Sequence, residues 1–524
     1  MRWQGLEKAG VQSLARIRNV GSSLWAEAWR VLVAFTLPFF SYLSTLAPTV
    51  YNLDSAELTT AAYSGGLVRA TGYPLYLILG RAWSRLPLGN VGWRMNLMSA
   101  VCAALTIALA DRLLRKLGVP GWARLASLGL LATSRFFWAM ATTAEVYTLH
   151  TLMVVVVLLM LMRFAERPSA GRLALATFVV GISFGNHVAT VLLAPACLWF
   201  VMRTSGREVW RVRSLAAAAA GLAGGLSLYL YLTLIYLGDP VFNYAGRYGA
   251  DGVFLQVDLT TFTGMWWLVS GKAFVSVMAG YTAGELVSQF GHFLAELVRA
   301  FVGVGISPAL VGFVALRRRS TPLAEALALA AIATACFYVT YRVIDKDTMY
   351  LPVYLVWALF LAEGYRALDD WLAAEGPSRL IGVVRWAMRA LALGAVVFAL
   401  AWNGPLVDLS DDRSTYNRGL AVLSRAAPDA LVIGWWSTVP VVEYLQLVEG
   451  RRPDIEALNR FLIQPEDLQT LVETRLAMGQ PVYFDEPPSE LFPDVVVERE
   501  GPVFRVHHLA APEFNPARRE ADSQ

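Results

Sequence analysis

The chain has 524 residues, of which 56% are hydrophobic and 16% charged, and a formal net charge of +4. A soluble domain carries about 25% charged residues, so this composition excludes an ordinary soluble protein and predicts a polytopic membrane protein. The near-neutral charge predicts no nucleic-acid partner, and the sequence holds no Gly-rich phosphate loop, Cys/His zinc spacing or G-x-S-x-G elbow.

In chain order, residues 1–30 carry Arg2, Lys8, Arg16, Arg18 and Arg30 and predict a cytoplasmic N-terminal segment. The apolar run after it is too long for a signal-peptide core and is read as an uncleaved first span. Runs of about 17–25 mostly apolar residues predict about eleven spans, at 31–50, 94–114, 122–140, 146–163, 172–187, 189–203, 214–237, 296–316, 322–342, 349–366 and 386–403. Segment 74–88 is short and holds Arg81 and Arg85, so it reads as an amphipathic helix lying on the membrane. Alternate loops hold the basic residues: Arg112, Arg115, Lys116 and Arg124; Arg163, Arg167 and Arg172; Arg203 to Arg213; Arg317 to Arg319; Arg366 to Arg385. These loops are predicted to be cytoplasmic. The opposite loops hold the acidic and polar residues, which places them and everything after the last span outside the cytoplasm of an inner, plasma-type membrane.

The transmembrane unit is thus expected over 31–403. Residues 404–510 lose apolar density and alternate short strands (429–436, 453–459, 481–486, 495–500, 502–508) with helices after the first two. That pattern predicts a small extracytoplasmic α/β domain with a partly parallel sheet. The tail 511–524 is polar and is expected to be disordered. Cys102, Cys197 and Cys336 all lie in apolar runs, so no disulfide framework is expected.

The candidate site residues lie on the outer face. Asp54 and Glu57 follow the first span directly. An ionisable pair at the membrane edge is a functional-site hypothesis by default, and the three-residue spacing puts both on one helix face. The pair reads as a general base and a neighbour that orients or tunes it; acidic residues at a helix N-terminus that favour its dipole are the bland alternative. Glu145 opens another span and could equally belong to a helix cap. Asp345 and Asp347 form a D-x-D, a spacing at which two carboxylates can share a divalent cation; for Asp347 a solvated turn is the preferred reading. Asn186 and His187 mark a further outer turn. Arg69, Arg81, Arg94, Arg135 and Arg342 lie near the outer face, where an anionic lipid headgroup would need such partners, and Arg69 is the favoured one.

DSAEL (54–58), GYPLY (72–76), RMNLMSA (94–100), FFWAMATTAEVYTL (136–149), SFGNH (183–187) and IDKDTMYLP (344–352) occur in a characteristic order, with GDPVFNY…DLTTFTGMWWLVSGKAF (238–274) between the last two. Together they resemble the family of GT-C type membrane proteins related to the eukaryotic transmembrane O-mannosyltransferase of plexin-like receptors. The resemblance covers most of 30–370, and the C-terminal part is similar to the family's soluble domain. It implies a GT-C helical bundle and a glycosyltransferase that moves a sugar, mannose-like, from a polyprenyl-phosphate donor to an extracytoplasmic hydroxyl acceptor, a protein Ser/Thr, with a lipid or glycan acceptor as the alternative. It also implies an essential acidic residue in the first outer loop, which only Asp54, with Glu57 near it, matches. Arg69, Tyr73, Glu145, Tyr147, Asn186, His187, Asp345 and Arg342 are the expected substrate-binding set. One departure is local: family members often show a His-Pro-Pro-like lead into GYPLY, where this chain has Arg69-Ala70-Thr71. A transporter and a non-catalytic assembly protein are the alternatives from other classes. The spans show no repeat of broken helices of the transporter kind.

Overall fold

The computed structural model describes residues 28–509 apart from 53, 377 and 493–494. Most of the expected N-terminal segment and the tail 511–524 therefore lie outside the described residues. The apolar runs are helical. α1 (Ala28–Ser44) stops before the predicted end of the first span. Two short helices follow, α2 (Asp54–Ser64) and α3 (Pro74–Trp83), then α4 (Val91–Lys116), α5 (Gly121–Ala132), α6 (Arg135–Thr142), α7 (Val146–Glu166) and α8 (Ala170–Phe184). Five longer apolar segments complete the bundle: Val188–Ser205, Val212–Leu237, Thr321–Thr340, Lys346–Ala374 and Arg379–Val407.

Seven of the described helices are long and apolar enough to cross a membrane; α1 and α8 are apolar but shorter. Two predicted spans are broken. The run 122–140 divides into α5 and α6 at Thr133–Ser134. Its freed carbonyls are satisfied from neighbouring helices: the Tyr42 hydroxyl donates to Ala132 O (3.0 Å) and the Asn403 amide to Thr133 O (2.8 Å). A membrane helix can break only where packed protein supplies such donors. The run 296–316 divides between Ala283–Ala300 and Ile306–Arg319, with left-handed backbone at Val302 and Gly303. Periodicity does not show either break, because both lie inside continuous apolar sequence. Helix Ile306–Arg319 meets Lys346–Ala374 through glycine: a Cβ on Gly312 would lie 1.8 Å from Phe360 O, and one on Gly364 equally close to Pro308 O. Small residues let membrane helices approach this closely. Segment 74–83 is the expected short amphipathic helix, burying Tyr76, Leu77 and Gly80.

The basic loops gather at the end of the bundle opposite α2. There Asp111 binds Arg115 and Arg124, buried Glu363 binds Arg319 and Arg366, and Asp369 binds Arg385 and Arg389. A two-stranded ribbon, β1 (Gly246–Tyr248) and β2 (Phe254–Gln256), lies in the long loop after Leu237. The C-terminal sheet comprises β3 (Leu431–Gly434), β4 (Glu456–Asn459), β5 (Val482–Phe484), β6 (Val495–Glu500) and β7 (Val503–Leu509), in the order β4-β3-β5-β7-β6. β3 is parallel to both β4 and β5, while β7 is antiparallel to β5 and β6. The partly parallel sheet follows from the helices that connect its first three strands.

This sheet unit docks on the segment that follows α1. Helix Val439–Leu447 packs on α2. Val50, Ala56 and Val91 share an apolar core with Val422, Val441, Val442 and Tyr444. The sheet unit and Asp54 therefore lie on the same side of the bundle.

Candidate functional site

α2 begins at Asp54, and one turn later Glu57 points the same way. Both carboxylates are ion-paired to the Arg69 guanidinium, one to each terminal nitrogen. The segment bearing Arg69 is held by backbone. Leu67 N donates to Phe242 O and Tyr244 N to Leu67 O, each at 2.9 Å. Gly66 is needed there, since a Cβ would sit 2.4 Å from Phe242 O.

Glu57 is closed in. Its side chain is 1% exposed, against 11% for Asp54. It also accepts from Arg69 N (3.0 Å) and from Trp436 Nε1 (3.0 Å). Burial pushes its carboxyl above the usual range, while Arg69 draws it back and the Asp54 charge adds to the rise. The Trp436 ring lies under the Arg69 guanidinium, 4.8 Å from its centroid. Trp436 stands on the sheet unit, just after β3 (431–434), so the C-terminal unit supplies part of this cluster.

Asp54, by contrast, lines a cavity of about 160 Å³. Arg69, Tyr73, Tyr147, His187 and Asp345 line it as well, as do Tyr338 and Tyr341. On one side it is bounded by the ends of the spans Val188–Ser205 and Thr321–Thr340, through Val191, Leu192 and Phe337. Val191 is 51% exposed, so this side opens at the surface of the helical bundle. The Tyr147 hydroxyl donates to Asp345 (3.1 Å). Burial and the Asp54 charge raise the Asp345 carboxyl. Burial also raises the Tyr73 and Tyr341 phenols, so both remain donors at neutral pH. Burial lowers the His187 imidazole to about 4, which keeps it neutral. His187 Nδ1 accepts from Ala189 N (3.1 Å), and the ring packs among Tyr73, Tyr147 and His150.

Six of the ten expected residues therefore line one cavity: Asp54, Arg69, Tyr73, Tyr147, His187 and Asp345. Glu57 stands behind them. Glu145 is buried beside them with Oε2 unpartnered, and burial together with the Asp54 and Asp345 charges raises its carboxyl strongly. The other two are placed elsewhere. Asn186 is fully buried, and its amide donates to Val146 O (3.1 Å), tying the end of α8 to the start of α7. Arg342 turns to the neighbouring loop, donating to Gly280 O (3.1 Å) and lying over Tyr281. The two carboxylates of the D-x-D also part: Asp345 faces the cavity, while Asp347 pairs with His292 (2.9 Å). Among the described residues no group of three or more His, Cys, Asp or Glu side chains is arranged to hold a metal ion. Arg94 donates to Ser84 O and Gly89 O and braces its own loop. Trp436 had escaped the reading of the sequence. The available signal was a Trp-Trp pair at the carboxyl end of a buried strand with parallel neighbours, where open α/β sheets bind ligands.

Residues 54–210 match the family model described as the Protein O-mannosyl-transferase TMEM260 N-terminal domain. Protein O-mannosyl-transferase TMEM260 of Mus musculus is 28% identical over 210 residues, which is 39% of this chain and 29% of the mouse protein. Protein O-mannosyl-transferase tmem260 of Dictyostelium discoideum is 22% identical over 462 residues, 80% of this chain and 55% of that protein. The chain thus spans about half, or less, of the length of these curated relatives. Among solved structures, ArnT from Cupriavidus metallidurans bound to undecaprenyl phosphate superposes with a TM-score of 0.58 at 14% identity, covering 93% of this chain and 100% of that one. Apo ArnT gives 0.53 at 15% identity, covering 94% and 100%. The motif resemblance is borne out: the chain is similar to the TMEM260 proteins, and its fold is the GT-C fold of the ArnT structures.

Proposed function

We propose that the chain is a glycosyltransferase that moves a mannose-like sugar from a polyprenyl phosphate to a Ser/Thr hydroxyl of an extracytoplasmic protein. One observation carries this reading. Of the two carboxylates clamped by Arg69, Asp54 reaches the cavity and Glu57 is sealed behind it. Asp54 is then the general base, and Glu57 holds Arg69 in place. The acceptor oxygen attacks the anomeric carbon as Asp54 takes its proton. The bond from that carbon to the phosphate oxygen breaks on the opposite face, and its electron pair leaves with the lipid phosphate. A single base of this kind supports inversion; a pair of carboxylates flanking the scissile bond is the hydrolase arrangement. Tyr73, Tyr338 and Tyr341 line the same cavity, and a phosphate leaving there needs hydroxyl donors of this kind.

A cavity that opens at the surface of the helical bundle suits a donor whose prenyl tail stays in lipid. Undecaprenyl phosphate, the lipid bound to the ArnT neighbour, is the natural carrier to test. The charge pattern supports a cytoplasmic N-terminus, an extracytoplasmic C-terminal unit over 404–510, and an inner-membrane location. Because the polar groups gather at one face of the bundle, an interfacial enzyme fits better than a transporter. The direct test is transfer of labelled mannose from mannosyl-phosphoryl-undecaprenol to a threonine peptide by the purified protein. Absence of transfer with donor intact would remove this reading.

A further inference from the structure

The two broken spans meet at a second cavity, of about 550 Å³, which shares no lining residue with the one at Asp54. Arg135 and Phe136 line it just after the break at Thr133–Ser134, and Val302 and Gly303 line it at the other break. Glu296 and Arg299, also in the lining, pair with each other. The span Arg379–Val407 contributes Phe398, Trp402 and Leu406. These three stand one turn apart on one face of that helix, each more than half exposed, and Phe398 stacks on Trp402 with ring centroids 5.9 Å apart. The cavity lies towards the Asp54 end of the bundle. Trp138, one turn past Arg135, donates to Thr45 Oγ1 (2.9 Å) just beyond α1, and Leu409 N donates to Thr45 O (3.1 Å) just beyond Val407.

We propose that this cavity binds the anionic headgroup of a phospholipid from the leaflet at the Asp54 end. The proposal does not depend on the transferase reading. Two arginines and one carboxylate line the space, and the carboxylate is already neutralised by Arg299. The surplus charge is Arg135. Its side chain is exposed. Among the described residues no carboxylate or hydrogen-bond acceptor engages it, and its guanidinium lies over the Phe136 ring, 5.8 Å from the centroid. A charge near the end of a membrane span is costly without a partner, and the guanidinium fork matches the oxygens of a phosphate. Phe398, Trp402 and Leu406 continue the site as an apolar stripe on which an acyl chain can lie, and tryptophan gathers at the headgroup level. That stripe suits a lipid phosphate better than a free one. A zwitterionic headgroup would bring its own cation beside Arg135, so an anionic one is preferred.

The test uses the full chain, purified in detergent and titrated with phosphatidylglycerol or phosphatidylcholine of the same acyl chains, with bound lipid followed by native mass spectrometry. The wild type should hold phosphatidylglycerol about fivefold more tightly than phosphatidylcholine, the factor expected of one arginine beside anionic lipid. Arg135→Gln should lose that preference, and Arg135→Lys, which keeps the charge, should retain most of it. Arg299→Gln leaves the Glu296 carboxylate facing the phosphate and should weaken phosphatidylglycerol about as much; it decides the matter if Arg135→Gln does not fold. A photoreactive residue in place of Trp402 should crosslink to phosphatidylglycerol. Equal binding of the two lipids by the wild type, a preference that survives the Gln variants, or loss of the crosslink to an equal concentration of undecaprenyl phosphate overturns the proposal.

Discussion

Replacing Arg69 with Gln removes the one cation that binds both carboxylates. The three side chains are 16%, 11% and 1% exposed for Arg69, Asp54 and Glu57. Solvent therefore replaces little of what is lost. An opposite charge within about 4–6 Å lowers a carboxyl pKa by about 1–3 units, and Arg69 opposes the burial that raises Glu57. Without it the pair holds a proton to higher pH, and a base that must be ionised works only above that limit. The acid limb of the kcat/KM profile for transfer should move up by about 1–3 units. At a pH below the new limb, each unit costs about tenfold in rate. Unpairing one partner of a buried ion pair also destabilises by about 3–5 kcal/mol, so thermal unfolding is followed in parallel. Arg69→Lys keeps the charge without the fork that reaches both carboxylates, and should fall between Gln and wild type on both readouts. If the Arg69→Gln profile superimposes on wild type, the ionising group that governs activity is not in this pair.

Trp436→Phe keeps a ring under Arg69 but removes the N–H donor to Glu57. A hydrogen bond to a charged group is worth about 1.5–3 kcal/mol; the variant should lose about tenfold in kcat and shift the acid limb upward, with donor KM retained, and an unshifted profile would reduce Trp436 to packing. Glu443, half-buried beside Tyr244, has its carboxyl raised by burial to about 8. A folded-state value above the unfolded one means that its contribution to stability is complete below about pH 4.5 and is lost as pH rises through 8. Glu443→Gln should therefore flatten the fall in Tm between pH 5 and pH 9, and parallel curves for variant and wild type would contradict it. Single cysteines introduced at exposed positions of the sheet unit should react with an impermeant maleimide from outside intact cells; labelling only after lysis would reverse the proposed orientation.

The helical bundle was legible because span-length apolar runs and basic loops alternate regularly, and the strands at 431–434, 456–459 and 482–484 fell within the expected runs. The breaks at Thr133 and Val302 were not, since the donors that permit the first, Tyr42 and Asn403, come from distant helices. At the site, the residues at the water-facing ends of helices were the readable ones. Asp54, Arg69, His187 and Asp345 announce themselves as charge or imidazole beside apolar runs, and they do converge. Asn186 and Arg342 carry the same signature, yet one braces a helix junction and the other pairs locally, because position at the outer face does not specify direction. Trp436 lay hidden among core-like aromatics, and only the docking of the sheet unit on α2 brings it to Glu57.

The account's central claim is that Asp54 takes the acceptor's proton. The most direct measurement is single-turnover transfer from labelled mannosyl-phosphoryl-undecaprenol by Asp54→Asn, with donor affinity measured on the same preparation. Asn keeps the shape of the side chain and cannot accept the proton, so the rate should fall by about 10²–10⁴-fold while the donor still binds. Turnover at the wild-type rate would contradict the assignment, and loss of donor binding with a normal rate at saturation would make Asp54 a binding residue instead.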